Sequence, residues 1–219
     1  MQVVPSRLLR RWCLGHRALA LLISLQAVLL AFSAWTHSPN FNEPAHLVAG
    51  LSHWRSGDFS LYRVNPPLVR LIASLPVAMV GYEADWSRST EMIGARPEFA
   101  MGEDWIRANG FDSIRLIRMA RLTAIPLVLL GTGVCFVWAQ DLMRDVCRTR
   151  LSEPQDNSPW QDCAALGGAD QVAGWMAATL WVFSPMILGH GAMITPDAHA
   201  SALGLAACYT FWRWLKRPT

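Results

Sequence analysis

The stretch Asn42-Glu43-Pro44-Ala45-His46 puts an amide, a carboxylate and an imidazole side by side, and His53 follows at helical spacing. Far along the chain, Asp197 closes the run Ile194-Thr195-Pro196-Asp197. Two carboxylates brought to one surface, Glu43 and Asp197, could deprotonate an acceptor hydroxyl and orient it. The plainer reading is that Glu43 complements a helix N-terminus and Asp197 caps the helix that follows it. Glu43-x-x-His46 is also a metal-ligand spacing. Di-metal bundles need two such motifs and further Glu; this chain has one, with His190, Asp197 and His199 as the remaining ligand types, so no metal is expected. His53 reads as a histidine at a membrane interface. Arg63 and Arg70 flank Val64-Asn65-Pro66-Pro67. Arginine suits phosphate recognition, which makes Arg63, Asn65 and Arg70 candidates for a phosphate site. The alternative is a lipid-headgroup or carboxylate contact for the arginines, with Asn65 ending an extended segment before the prolines.

These residues need elements to position them. Asn42 is a good N-cap, Pro44 is tolerated in a first turn and Gly57 is a natural stop, which predicts a helix between them. On it Leu47, Val48, Leu51 and Trp54 share one face, and Glu43, His46, Gly50 and His53 the other. A second helix is expected from Pro66-Pro67 through "LVRLIASLPVAMVG". It is apolar enough to lie at a bilayer interface, but too short and too Pro-broken to span. Tyr82 to Asn109 is polar and predicts no particular element. Ser152 to Asp162 has the composition of a flexible cytoplasmic linker, and no internal repeat is found.

Composition points to a membrane. The 219 residues are 53% hydrophobic and only 16% charged, against about a quarter charged in a soluble domain. Eleven Trp are present, and tryptophan favours membrane interfaces. The net charge of +3 comes almost wholly from Arg, with Lys216 the single lysine. The basic residues flank apolar runs without forming a patch, so no nucleic-acid partner is expected. Cys13, Cys135, Cys147, Cys163 and Cys208 form no Cys-x-x-Cys pair and read as thiols in the membrane or on its cytoplasmic side.

Four runs approach the roughly 20 apolar residues a spanning helix needs. The expected organisation is an all-α membrane protein: a cytoplasmic segment 1–14, spans at 15–35, 119–141, 169–189 and 198–215, a long outer loop 36–118 carrying one or two amphipathic interfacial helices, a cytoplasmic loop 142–168, a short outer loop 190–197 and a tail 216–219. The first span exceeds the 7–15 apolar residues of a signal peptide and reads as an uncleaved anchor. Arg7, Arg10, Arg11 and Arg17 precede it; Arg144, Arg148 and Arg150 follow the second; Arg213, Lys216 and Arg217 follow the fourth. The positive-inside rule then places both termini in the cytoplasm of a cell whose inner (plasma) membrane holds the chain.

On this frame, a first span, then "NEPAH", then "GDF…NPPL…LPV", and "ITPD" between the third and fourth spans resemble the membrane-embedded glycosyltransferases of the protein O-mannosyltransferase type, which share their layout and C-type fold with the lipid A aminoarabinose transferases. The resemblance implies inverting transfer of a sugar from a polyprenyl-phosphate donor to a hydroxyl on a protein or lipid acceptor at the outer membrane face, with no cofactor. It implies that Asn42, Glu43 and Asp197 occupy the catalytic positions, with His46 nearby, and that Arg63, Asn65 and Arg70 lie near the donor phosphate. The family's first acid, its proposed base, is Asn42 here, an amide that cannot accept the proton at neutral pH. Val64-Asn65-Pro66 stands where the aminoarabinose transferases carry Glu-Lys-Pro. Family members also have more spans. The chain therefore reads as the N-terminal part of such an enzyme, completed by a downstream half, or as a non-catalytic membrane subunit that keeps the scaffold and binds lipid or a partner.

Overall fold

Long apolar runs rich in Ala and Leu make helix the default along most of this chain, even with Pro76 and Pro126 inside two of the helices. The computed structural model describes residues 6–89, 96–152 and 168–216, and every regular element among them is helical. These are α1 (Ser6–Thr36), α2 (Asn42–Ser56), α3 (Leu68–Val80), a 3-10 turn at Ser87–Ser89, α4 (Pro97–Asn109), α5 (Asp112–Ser152), α6 (Ala169–Val182), α7 (Pro185–His190) and α8 (Asp197–Lys216). Arg17–Thr36 in α1 and Asp112–Thr149 in α5 are long and apolar enough to cross a membrane. The core helix of a soluble protein would be mostly buried, whereas 17% and 33% of their apolar windows are.

The second and third spans differ from expectation, while α8 covers the expected 198–215 but is not among the helices long and apolar enough to cross. The 169–189 run is not one helix: α6 ends at Val182 and α7 begins at Pro185. Pro185 lacks an N–H and pushes Ser184 out of the helical region. At 14 residues α6 is about 21 Å long, short of a bilayer core of roughly 30 Å. Conversely α5 has 41 residues, about 60 Å of helix, far more than 119–141. The linker expected at 152–162 lies, beyond Ser152, outside the described residues.

The chain divides into two compact units. One comprises Ala27–Val128 and Pro185–Ala202. Its core gathers Leu47, Val48 and Leu51 of α2, Ala73 and Val77 of α3, Met101 and Trp105 of α4, Leu116, Ile117 and Ala120 of α5, and Ile194. The two-faced α2 of the sequence pattern is corrected here: Glu43 through Leu51 are buried without interruption. Glycines explain the cover on both sides. A Cβ on Gly50 would lie 2.4 Å from the Arg70 carbonyl oxygen and 2.5 Å from Ser74 Oγ, so α3 packs directly on α2 there. A Cβ on Gly102 would lie 2.9 Å from the Ala45 nitrogen, which seats α4 on the first turn of α2. Gly57, at φ 69°, ends α2 as expected.

α3 starts after Pro67 as expected, and its buried face carries two polar residues beside Val69, Ala73 and Val77. Arg70 and Ser74 are buried, while Leu68, Leu75, Met79 and Val80 are exposed. α4 lies in the stretch that predicted no element, and buries Glu98, Met101, Gly102 and Trp105, one stripe at helical spacing.

The other unit holds residues up to Gln26, Leu129–Ser184 and the chain from Leu203. Thr132 donates to Gln26 Oε1, and both side chains are fully buried. Trp138, Tyr209 and Trp212 cluster, with Lys216 Nζ 4.1 Å from the Trp212 ring centroid. Tyr209 donates to Asp141, Arg144 pairs with Asp170, and Lys216 pairs with Asp145. Cys135 and Cys208 are free thiols.

Candidate functional site

The site belongs to the unit built on α2, and its anchor begins one turn before that helix. The Asn40 side-chain oxygen accepts from the backbone N–H of Asn42 at 2.9 Å and of Glu43 at 3.0 Å. Glu43 Oε2 accepts in return from the Asn40 backbone N–H at 3.0 Å. Asn40-x-x-Glu43 is therefore a capping box, and Asn40, not Asn42, caps α2. Asn42 sits exposed at the helix start.

Glu43 is fully buried against Arg121 of α5, which is 2% exposed. Arg121 Nε donates to Glu43 Oε1 at 2.8 Å and Nη2 to Oε2 at 2.6 Å. The Ile194 backbone N–H donates to Oε1 at 3.1 Å. With Asn40, the carboxylate accepts four N–H groups, its full capacity of about four lone-pair sites. Arg121 is equally saturated: Nη1 donates to the carbonyls of Ala34 and His37, and Nη2 also to that of Ser38. One ion pair thus ties the end of α1, the start of α2, α5 and the 191–196 loop together. A proton acceptor needs a free lone pair, so in this conformation Glu43 is a positioning group.

The same pair draws the loop before Asp197 onto the start of α2. Asn40 Nδ2 donates to Met193 Sδ at 3.1 Å, a second tie between the two segments. Asp197 opens α8, is exposed, and its Oδ2 lies 3.9 Å from His190 Nδ1. His199, one turn into α8, is buried, with Nδ1 2.9 Å from the Thr195 carbonyl. No group of three or more His, Cys, Asp or Glu side chains suited to a metal occurs among the described residues.

His46 lies one turn beyond Asn42, stacked on Tyr62 with ring centroids 4.3 Å apart. Burial, then the Arg70 charge, lowers its pKa to about 4, against the opposing pull of Asp197 and Glu43. At neutral pH it is uncharged, and both carboxylates are near enough to act on it.

Tyr62 is the one non-glycine residue with positive φ, 59°, among those described. Such a conformation costs about 1–3 kcal/mol and persists only where its surroundings impose it. Here His46 covers the ring, and the guanidinium carbons of Arg70 and Arg96 lie 5.3 and 5.1 Å from its centroid. Arg96 also lies over Phe99 and pairs with Glu98 at 2.8 Å; that hydrogen bond raises the arginine's pKa.

The three phosphate candidates separate. Arg63 is exposed and donates to the Ser60 carbonyl at 3.0 Å. Asn65 is half-buried and offers its backbone carbonyl to Arg70 Nη2. Arg70 is 2% exposed, and burial pulls its pKa down. His53, expected at an interface, is instead buried, stacked on Phe59 at 4.5 Å.

Arg121 lies inside the expected second span, 119–141, where local pattern gives it no role. An ionisable residue in a span requires a named partner, and Glu43 was already singled out. Comparison with protein-family models, characterised proteins and solved structures finds no match to this chain.

Proposed function

We propose that this chain is the N-terminal part of an inverting glycosyltransferase that moves a sugar from a polyprenyl-phosphate donor to a hydroxyl acceptor at the outer face of the inner membrane. The observation that carries this reading is the junction at Glu43, where the start of α2 meets the loop leading to Asp197. It puts an exposed Asn42, an uncharged His46 and an exposed Asp197 around one end of α2. With Glu43 saturated, Asp197 is the carboxylate left to take the acceptor's proton, and Asn42 holds the position of a lost base. Arg70 is the phosphate ligand of the three candidates, because its donors are inside the fold and incompletely used.

The membrane setting draws support from the two apolar helices and from α3. An exposed face of Leu68, Leu75, Met79 and Val80 backed by a buried arginine suits a lipid surface. In this reading α6 with α7, and α8, supply the third and fourth spans, both termini are cytoplasmic, and residues 36–118 lie outside.

A second reading has its own observation. Glu43 has no free lone pair and Asn42 is an amide, which suits a non-catalytic subunit that keeps the scaffold and binds lipid or a partner. Membranes containing the chain together with a downstream half, supplied with polyprenyl-phosphate sugars and an acceptor, separate the two. Asn42→Asp restores a base and should raise transfer by about 10²-fold or more, the usual contribution of general-base catalysis. Unchanged transfer, with unchanged membrane insertion, would reject the enzyme and leave the binding subunit.

A further inference from the structure

The turn that delivers Asp197 carries a polar atom the fold leaves unmet. His190, the last residue of α7, has its Nδ1 buried with no hydrogen-bond partner, although the side chain as a whole is 39% exposed. The charged group beside that nitrogen is the Asp197 carboxylate, with Oδ2 at 3.9 Å. The gap is too long for a hydrogen bond by about 1 Å, and Asp197, 63% exposed, has the freedom to swing across it. Catalytic hydrogen bonds are often long before substrate arrives and tighten in the complex.

The backbone on both sides of the pair is held, so closure falls to the side chains. A Cβ on Gly191 would lie 2.5 Å from the Ile187 carbonyl oxygen, 3.1 Å from Leu30 and 3.2 Å from Val128, which presses the end of α7 onto α1 and α5. The Met193 N–H donates to the His190 carbonyl at 3.1 Å. Further on, Met193 is tied to Asn40 and Ile194 to Glu43, and the Ala200 N–H donates to the Pro196 carbonyl at 2.6 Å. The junction at Glu43 thus fixes the loop whose two ends carry His190 and Asp197. Other histidines of this unit are committed elsewhere: His46 is stacked on Tyr62, and His199 is buried with Nδ1 on the Thr195 carbonyl. Among the described residues, His190 alone combines an unmet ring nitrogen with a half-exposed side chain.

A neutral imidazole facing a carboxylate keeps its hydrogen on the nearer nitrogen, because the N–H donates and the carboxylate only accepts. Nδ1–H is therefore the form that meets Asp197. A carboxylate acting as base must present one oxygen within about 2.6–3.2 Å of the hydroxyl, and an exposed, untethered aspartate is spread over several rotamers. We propose that His190 is the positioning residue of Asp197: its Nδ1–H binds one carboxylate oxygen and holds the other towards the acceptor hydroxyl. The inference rests on the function proposed above and adds to it the group that aims the base. The acceptor's proton passes to the free carboxylate oxygen, and the acceptor oxygen bonds the anomeric carbon. The lipid phosphate leaves with the electron pair of the broken carbon–oxygen bond. His190 neither gains nor loses a proton.

NMR of the full chain in detergent micelles at neutral pH, labelled at the histidine ring nitrogens, reads the tautomer directly. The His190 signals are those missing from His190→Asn. They should show the hydrogen on Nδ1, and Asp197→Ala should move it towards Nε2. A hydrogen on Nε2 in the parent chain, or a tautomer indifferent to Asp197→Ala, overturns the role of His190 and leaves the glycosyltransferase reading standing. The second measurement is sugar transfer by membranes holding the chain and a downstream half. His190→Ala should lower kcat by about 10- to 10²-fold, the cost of misplacing a reacting group by about 1 Å, with KM within about 2-fold. His190→Asn, whose amide N–H falls near the Nδ1 position, should recover part of the loss, whereas His190→Gln, whose amide falls near Nε2, should not. Equal recovery by both, or full transfer in His190→Ala, overturns the proposal. No transfer by the parent chain overturns the glycosyltransferase reading, and the role of His190 with it.

Discussion

Replacing Arg121 by Met isolates the ion pair from which the site is hung. Methionine matches the length of the arginine stem and supplies none of its five N–H donors. Glu43, with no exposed surface, would keep only the Asn40 and Ile194 N–H groups, and the carbonyls of Ala34, His37 and Ser38 would lose their donor. Removing one partner of a buried pair costs about 3–5 kcal/mol because the other charge is stranded. Glu43→Leu should cost a similar amount by stranding the guanidinium. The double variant strands neither charge, so its cost should fall short of the sum of the singles by about 2–3 kcal/mol. Reversible unfolding in detergent, followed by tryptophan fluorescence, measures all three. A loss below about 1 kcal/mol in Arg121→Met, or single-variant costs that simply add within about 0.5 kcal/mol, would refute the clamp.

Packing and titration give three further outcomes. Gly50→Ala forces a Cβ to 2.4 Å from the Arg70 carbonyl and should destabilise by about 1–3 kcal/mol in the same assay. Gly204→Ala, at a helical position with open space around it, should instead stabilise by about 0.5–1 kcal/mol. His46 has a folded pKa of about 4, below the unfolded value of 6.5. The unfolded chain therefore takes up a proton that the folded chain refuses between those values. The contribution is fully present above about pH 6.5 and declines by about 3 kcal/mol as pH falls towards 4. Unfolding midpoints from pH 7 to 4 should show this loss in the parent chain and a shallower slope in His46→Gln.

Local signals on the chain carried some of this structure and left the rest unmarked. Pro66-Pro67 and Gly57 marked the start of α3 and the end of α2 because φ restriction and φ freedom act within a residue or two. The capping box Asn40-x-x-Glu43 was equally local and was passed over in favour of Asn42. The stripe Glu98, Met101, Gly102 and Trp105 was present as a period, hidden by the polarity of the residues between. What no local pattern could show is that α2 is covered on both sides. That depends on two glycines admitting α3 and α4, and on contacts across tens of residues. Proximity in space also separated Arg70 from Arg63: neighbours on the chain, one is enclosed and the other faces solvent. Glu43 was singled out from its residue type, but its role followed from Arg121, 78 residues away.

That separation has a consequence for how the protein is made. Translation at roughly 5–20 residues per second brings Arg121 off the ribosome about 4–16 s after Glu43, and Ile194, 151 residues on, about 8–30 s after it. Throughout the first interval the carboxylate has only its own turn for company and must stay hydrated. The segment from α2 to α4 therefore waits in water until α5 arrives to close it. Biogenesis of this chain has a built-in order in which a late arginine completes an early helix.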